Sequence, residues 1–314
     1  MRFALFAFGL ITACGLARAQ PAPPAPPPNA DAALCSSTTN HPDLAIKHCT
    51  AAIASHKGTN EMLAQWYVLR GVEWSTKGDY DRAVADHTTA LKLDAKVAHA
   101  HYYRATAWAN KGDFERAIAD FDAALQQRPN DALTHHARAI ELAVKGDYAR
   151  AIADFDKALQ LDPKADGLHF ARGRTLFYMS DFARAASDLE TAFTAQPNVY
   201  TALWLFLARK RGANADAEDM LERDTRRIRG GWPSPVIALF MGRTDINSVM
   251  ASTIDPNTAL QRDKRCEAEF YIAHSHLLKG ERARAVTLLQ DLQKDCRKNL
   301  LEYEGSVAEL RRTK

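Results

Sequence analysis

The residues best suited to chemistry in this sequence are histidines that recur at a fixed spacing. His101, His135 and His169 are 34 residues apart, and Tyr67 precedes them at the same interval. A row of histidines suggests zinc, but zinc needs ligands about 2.0–2.1 Å from one centre. Successive units of a stacked helical array lie about 8–10 Å apart, so these rings cannot share an ion. We expect them to serve packing or an interface, and we predict no metal site and no cofactor.

Cysteines are the second candidates. Cys14 lies in the apolar N-terminal segment, and four more lie beyond it, at Cys35, Cys49, Cys266 and Cys296. An even number of cysteines in an exported chain favours disulfides over nucleophiles, and four cysteines allow three pairings.

Motifs of catalysis are missing from the sequence. The glycine-flanked serine of hydrolases, the paired histidines of zinc proteases, the P-loop and the dinucleotide-binding glycines do not occur. We therefore predict no catalytic residue and no enzyme.

An internal repeat of 34 residues indicates the elements that position these side chains. The segment 77–80, Lys-Gly-Asp-Tyr, returns as Lys-Gly-Asp-Phe at 111–114 and Lys-Gly-Asp-Tyr at 145–148, with Ser-Asp-Phe at 180–182 as a degenerate copy. Glycine ends a helix and aspartate begins one. Each repeat is therefore predicted to be two helices joined at this segment.

The repeats occupy 64–97, 98–131, 132–165 and 166–199. They share small residues at Gly71, Ala105, Ala139 and Gly173, and large apolar ones at Trp74, Trp108, Leu142 and Leu176. This pattern resembles the tetratricopeptide repeat (TPR). The resemblance implies an all-α fold, a right-handed superhelix of helix-turn-helix repeats with a concave surface and a helical C-terminal extension.

Two charged series share the repeat spacing. The arginines are Arg70, Arg104, Arg138 and Arg172, and the aspartates are Asp86, Asp120, Asp154 and Asp188. The two series face each other across a hairpin that turns near the glycine. We predict a ladder of structural Arg–Asp pairs, which fix register more than they stabilise the fold because desolvation offsets their attraction.

The TPR resemblance also implies which residues line the concave groove. They are Val68, Val72, Tyr102, Thr106, His136, Ile140, Phe170, Arg174, Phe177 and Tyr178. The set is apolar and aromatic with one arginine, and it lacks the lysine and asparagine set of carboxylate-binding TPR grooves. Aromatic and arginine side chains carry much of the energy of protein interfaces. Two interpretations stay open: a partner protein fills the groove, or the chain's own C-terminal helices do.

Both ends of the array depart from the repeat. Residues 31–63 are predicted to form a partial repeat or cap, 200–262 a helical connector, and 263–314 a TPR-like hairpin with a cap.

The ends also constrain the cysteines. Cys35 lies just before the N-terminal cap helix that contains Cys49. Cys266 precedes the hairpin turn at Gly280 by 14 residues and Cys296 follows it by 16. At a rise of 1.5 Å per residue, this pair lies level to within about 3 Å. We predict the bonds Cys35–Cys49 and Cys266–Cys296.

A second resemblance covers mainly residues 200–310. Trp204–Ala208, Gly231-Trp232, Phe270-Tyr271 and Glu309-Leu310 are similar in layout to the NlpI-type periplasmic TPR lipoproteins. Those proteins are adaptors that bring together a tail-specific protease and peptidoglycan hydrolases. The resemblance implies an adaptor role for this chain.

The N-terminus predicts the compartment. Residues 1–19 have one early charge, an apolar run and a small-x-small site at Ala17–Ala19, which is typical of a secretory signal. Residues 20–30 form a proline-rich linker. Cleavage after Ala19 gives a periplasmic or secreted protein. The alternative is a lipoprotein whose Cys14 is lipidated, the one case in which we expect membrane attachment.

The predicted function is an exported TPR scaffold that binds other proteins. The net charge of +3 becomes +1 after cleavage, which argues against a nucleic-acid partner. Envelope proteins are the expected partners, possible examples being a protease or a cell-wall hydrolase. The alternatives are a structural protein that self-associates into oligomers, or a metal-binding protein or enzyme.

Overall fold

The computed structural model is helical in every regular element it describes, and it divides into two compact units between Pro163 and Lys164. We call these the N-terminal and C-terminal units. The expected signal, Cys14 and residues 20–29 of the expected linker fall outside the described residues. The described residues are 30–36, 41–55, 58–97, 99–165, 167–226, 228, 231–297 and 300–312.

The N-terminal unit contains eight helices within its described residues, joined mostly by turns of a few residues. They are α1 (Ala30–Ser36), α2 (Pro42–Ala54), α3 (Asn60–Thr76), α4 (Tyr80–Leu93), α5 (Ala100–Asn110), α6 (Phe114–Gln127), α7 (Ala132–Lys145) and α8 (Tyr148–Leu161). The helix pairs α3–α4, α5–α6 and α7–α8 are the hairpins of the first three predicted repeats. The helices α1 and α2 form the expected N-terminal cap.

The described part of the C-terminal unit contains the fourth predicted repeat and continues through helices whose lengths vary more, from 6 to 21 residues. They are α9 (Leu168–Tyr178), α10 (Phe182–Ala195), α11 (Val199–Arg211), α12 (Ala217–Thr225), α13 (Ser234–Phe240), α14 (Ile246–Ala251), α15 (Thr258–Leu278), α16 (Arg282–Asp295) and α17 (Leu301–Arg312). The division into units falls between residues 163 and 164, near the end of the third predicted repeat.

The turns inside the hairpins form as the repeat predicted. The side chain of Asp113 accepts a hydrogen bond from the backbone N–H of Arg116 at the start of α6. Gly112 precedes it with φ of +79°, in the left-handed region where only glycine is unstrained. In the fourth repeat Ser180 occupies this place with φ of +66°. The degenerate copy therefore keeps the turn geometry, although Ser180 is strained at this positive φ.

Small residues allow the paired helices to approach closely. A Cβ on Gly173 would lie 2.9 Å from Cγ of Leu189, which is too short for real atoms. Ala105 is fully buried beside Phe121, which is 1% exposed. Each hairpin core thus combines one small residue with one large side chain, and interior packing of this density tolerates little change in volume.

Both predicted cysteine pairs are at bonding distance. Cys35 and Cys49 join α1 to α2 with 4.6 Å between their Cα atoms, and Cys266 and Cys296 join α15 to the end of α16 with 5.9 Å. The first pair packs in a core cluster with Trp66 of α3. Each disulfide therefore fixes a terminal segment to the element beside it.

Candidate protein-binding surfaces

The predicted Arg–Asp ladder is present in every repeat. Arg104 donates two hydrogen bonds to Asp120, from Nε and Nη2, both 2.7 Å long. The same paired geometry joins Arg138 to Asp154, at 2.7 and 2.7 Å. The remaining pairs are Arg70–Asp86 at 2.8 and 2.8 Å and Arg172–Asp188 at 2.6 and 2.7 Å. Planar two-point contacts of this kind fix orientation as well as charge.

The recurrent histidines complete this ladder. Nδ1 of His135 lies 2.9 Å from Oδ1 of Asp154, and His101 contacts Asp120 at 3.0 Å. Burial raises the pKa of Asp120, but hydrogen bonds from Arg104 and His101 outweigh it and leave that pKa lowered. Nowhere in the described ranges do three His, Cys, Asp or Glu side chains come together as a metal site. The histidines contact the ladder aspartates, whereas the sequence predicted only a role in packing or at an interface.

The ladder also links neighbouring repeats. Arg104 Nη1 donates to Thr88 of the preceding hairpin at 3.2 Å, and Arg138 Nη1 donates to Asp122 at 2.6 Å. These two guanidinium groups therefore bridge their own hairpins and the ones before them. This arrangement holds the first helices of the repeats in register and so determines which of their side chains face outward.

Six of the predicted groove residues lie in the N-terminal unit, and they divide into two groups. Val68, Tyr102 and His136 turn inward: Val68 and Tyr102 are each 8% exposed, and the His136 ring is 6.0 Å from that of Phe155. Burial raises the pKa of Tyr102 to about 12 and lowers that of His136 to about 4. These three side chains belong to the core of the unit.

The second group forms an accessible surface. Val72, Thr106 and Ile140 are half-buried, one on each of α3, α5 and α7. Their neighbours one turn further along each helix are also small or uncharged, a feature that the sequence analysis did not single out. These neighbours are Ser75, Ala109, Asn110 and Val144. We call these seven residues the uncharged strip.

The uncharged strip extends toward the start of α7. Leu133 lies two turns before Ile140 on the same helical face, and it is 37% exposed. Asn110 is exposed and donates its side-chain N–H to the backbone oxygen of Thr106 at 2.8 Å. The strip therefore combines apolar side chains with a few uncharged polar groups.

The four groove residues of the C-terminal unit behave differently. Arg174, Phe177 and Tyr178 are 6%, 0% and 4% exposed, and Phe170 is half-buried. Helix α17 contacts this part of α9 directly. Of the two interpretations left open for this part of the groove, the structure agrees with the one in which the chain's own C-terminal helix fills it.

The contacts of α17 in this groove include an ion pair and a hydrogen bond to the backbone of α9. Arg174 pairs with Glu304, and its guanidinium lies 5.4 Å from the ring centre of Trp204. Arg312 donates to the backbone oxygen of Phe177 at 2.7 Å. Opposite charges on α9 and α17 therefore hold the helix in place.

Half-buried Glu267 and buried Glu302 of the same unit lie close enough to affect each other, which sequence reasoning missed. Glu267 accepts hydrogen bonds from the Tyr200 hydroxyl at 3.1 Å and from the Trp232 indole at 2.5 Å. Burial raises the pKa of Glu302, 4% exposed, to about 8, with the charge of Glu267 adding to the effect. Carboxylates with a strongly shifted pKa occur in active sites, but they also occur in structural networks of charged groups. Tyr271 is fully buried, and its burial together with the charges of Glu302 and Glu267 raises its pKa.

The comparisons with known families address the repeats directly. Family models described as tetratricopeptide repeat match residues 76–132 and 132–165. The chain contains tetratricopeptide repeats. Sequence comparison with curated proteins gives no significant match.

Solved structures give the same fold. A tetratricopeptide repeat protein from Parabacteroides merdae superposes with a TM-score of 0.52 at 16% identity, covering 86% of this chain and 91% of that one. The C-terminal part of a TPR protein from Cytophaga hutchinsonii gives 0.51 at 17% identity, covering 84% and 94%. YrrB, titled a TPR protein with an unusual peptide-binding site, gives 0.51 at 18% identity, covering 62% and 98%. At such identities the likeness concerns the fold alone.

Proposed function

We propose that this chain is an exported scaffold that binds a segment of a partner protein on the uncharged strip of its N-terminal unit. The observation that carries the proposal is the alignment of Val72, Thr106 and Ile140. The Arg–Asp ladder holds them at the same place on three successive hairpins. A periodic row of partly exposed side chains can contact an elongated segment at several points.

The chemistry of the strip indicates the kind of segment. Its residues carry no charge, so an acidic tail gains no ion pair there. Apolar burial contributes about 25 cal/mol per Å², so a segment with apolar side chains is the better fit. YrrB, a TPR protein of similar fold, has an unusual peptide-binding site, which supports peptide binding as the function of this surface.

Export is the second part of the proposal. Two disulfides within one chain suit an oxidising compartment, where such bonds persist. The signal-like residues 1–19 and the proline-rich residues that follow support the same compartment. No helix in the described part of the chain has both the length and the hydropathy needed to cross a bilayer.

The finer proposal concerns the partners. The layout of residues 200–310 resembles periplasmic adaptors that serve a protease and peptidoglycan hydrolases. We propose envelope proteins of these kinds as clients. The mechanism is apposition, in which two proteins held on one frame raise each other's effective concentration.

The test is selection of peptides by the full chain, followed by measurement of the dissociation constant of the best one. Thr106→Arg and Ile140→Arg should each weaken binding about tenfold or more, because they place charge and bulk on the strip. The control is Gln126→Arg, which adds the same side chain at an exposed site of α6. Equal affinity of all four proteins would show that the strip is not the binding surface.

A further inference from the structure

The groove of the C-terminal unit is occupied by helix α17 of the same chain. We call this surface the α17 groove. Its walls come from α9, α11 and α15, and its residues are Arg174, Phe177, Tyr178, Trp204, Arg211 and Phe270. All of them lie in the C-terminal unit, so this inference is independent of the proposed function of the N-terminal unit.

Charge is the first feature of the groove. Arg174 and Arg211 come from the walls, and Glu304 and Glu309 come from α17. The Arg174 side chain is 7% exposed, and that of Glu309 is 2% exposed. The groove is therefore a basic, aromatic surface that accepts carboxylates from a helix.

Steric fit is the second feature. A Cβ added to Gly305 would lie 2.6 Å from Phe270 Cε2 and 3.5 Å from Trp204 Cη2. The backbone of α17 therefore rests directly on these rings, and only glycine fits at that point. The occupant of the groove must have this residue between its two carboxylates.

Incomplete pairing is the third feature. Arg174 Nε, Trp204 Nε1 and both ring nitrogens of His274 are buried without a hydrogen-bond partner. The Arg211–Glu309 contact is long, at 3.6 Å. Buried polar groups without hydrogen-bond partners lower the stability of the fold. In an ion pair with long or incomplete contacts, the attraction does not offset the free energy of removing the charges from water. Helix α17 thus leaves part of the binding capacity of the groove unused.

We propose that the α17 groove is a binding site for an acidic helix of a partner protein, and that α17 occupies it as a built-in competitor. The partner helix carries a glycine preceded by a glutamate and followed by another four residues later, as in Glu304, Gly305 and Glu309. Its carboxylates replace those of α17 on Arg174 and Arg211. Because α17 is tethered, it competes at high effective concentration, and the groove opens only to a ligand that pairs its donors better.

The experiment uses the full chain and a labelled synthetic peptide of residues 300–312. In the Gly305→Val chain the added side chain meets Phe270, so α17 leaves the groove and the peptide should bind about tenfold or more tightly than to the unchanged chain. A peptide that itself carries Gly305→Val should bind neither chain. Adding Arg174→Gln to the Gly305→Val chain should remove most of the gain, since it removes the charge that meets Glu304.

Hydrogen exchange provides the second measurement. Residues 301–312 should lose protection in Gly305→Val while α9, α11 and α15 keep theirs. If those helices also lose protection, Glu304→Arg replaces Gly305→Val, because it repels Arg174 without adding bulk under the helix. Protection of residues 301–312 in both variants would overturn the proposal. The proposal would also be overturned if α17 were released and the peptide still did not bind. Peptide binding that Arg174→Gln leaves unchanged would overturn it too.

A second copy of the chain is the competing occupant. Light scattering of the unchanged chain with and without peptide distinguishes it. A monomer supports the partner helix, whereas a dimer that the peptide dissociates would assign the groove to α17 of another copy and refute the proposal.

Discussion

His87 is the side chain whose replacement tests the packing argument most directly. It lies on α4, fully buried, and neither ring nitrogen has a hydrogen-bond partner. A Cβ on Gly71 would lie 2.6 Å from its Cε1 atom, so the ring fills the space that this glycine leaves. Leu189 has the same relation to Gly173 in the fourth repeat. Leucine is therefore a residue that this packing already accommodates.

Burial of the His87 ring determines how much its replacement changes the free energy of unfolding. It lowers the pKa of His87 to about 3, and Arg104 adds to the shift. An unpartnered buried polar group costs about 1–3 kcal/mol, so His87→Leu should raise the free energy of unfolding by that amount at pH 7. A lowered histidine pKa means that the unfolded chain binds the proton first, so stability falls as pH drops below about 6.5 and continues to fall toward pH 3. Between pH 7 and pH 5 this linkage costs the unchanged chain about 2 kcal/mol.

The assay is urea-dependent hydrogen exchange of peptides from α3 and α4, at pH 7 and pH 5, which reports this unit alone. The advantage of His87→Leu should grow by about 2 kcal/mol at the lower pH. His87→Gln is the matched control, since it keeps a polar group but removes the titration. It should share the smaller pH dependence and lack the gain at pH 7. An advantage of His87→Leu that is the same at both pH values would refute the reasoning.

Three further predictions concern the turn, the ladder and a disulfide. Ser180→Gly should raise the free energy of unfolding by about 1 kcal/mol in urea titration, since glycine has no strain at positive φ. Arg138→Met should cost about 3 kcal/mol because Asp154 stays buried and charged, and adding Asp154→Leu should restore at least half of this loss in a double-mutant cycle. Reducing Cys266–Cys296, a loop of 30 residues, should lower the free energy of unfolding by about 3–4 kcal/mol, measured with and without reductant.

The parts of the fold that follow the repeat could be predicted from the sequence. The glycine and aspartate at each hairpin turn, the Arg–Asp ladder and the first three hairpins depend on residues within one repeat or its neighbour. Arg104 and Asp120, for example, are 16 residues apart. Such contacts repeat with the sequence, so four copies of the pattern reveal them.

The contacts of α17 could not be predicted in this way. Arg174 and Glu304 are 130 residues apart, and the pairing occurs once. The 34-residue pattern ends near residue 199, so no periodicity indicates which helix returns to α9. The histidines were a different case. His101 precedes Asp120 by 19 residues, and His135 precedes Asp154 by the same interval, so the signal was present in the sequence.

The same types of charged side chain have opposite consequences in the ladder and under α17. In the ladder, each aspartate uses both oxygens, and Asp120 receives Arg104 and His101 together. Removing either member leaves a buried charge, so the ladder is expected to stay intact while the chain is folded. Under α17, Arg174 meets one oxygen of Glu304 and keeps Nε without a partner. A contact that leaves donors unpaired can be replaced by one that pairs them. Both sets include buried charged groups, but only the ladder pairs them fully. We therefore infer that the ladder of the repeats stays fixed, whereas α17 can be exchanged for a partner helix.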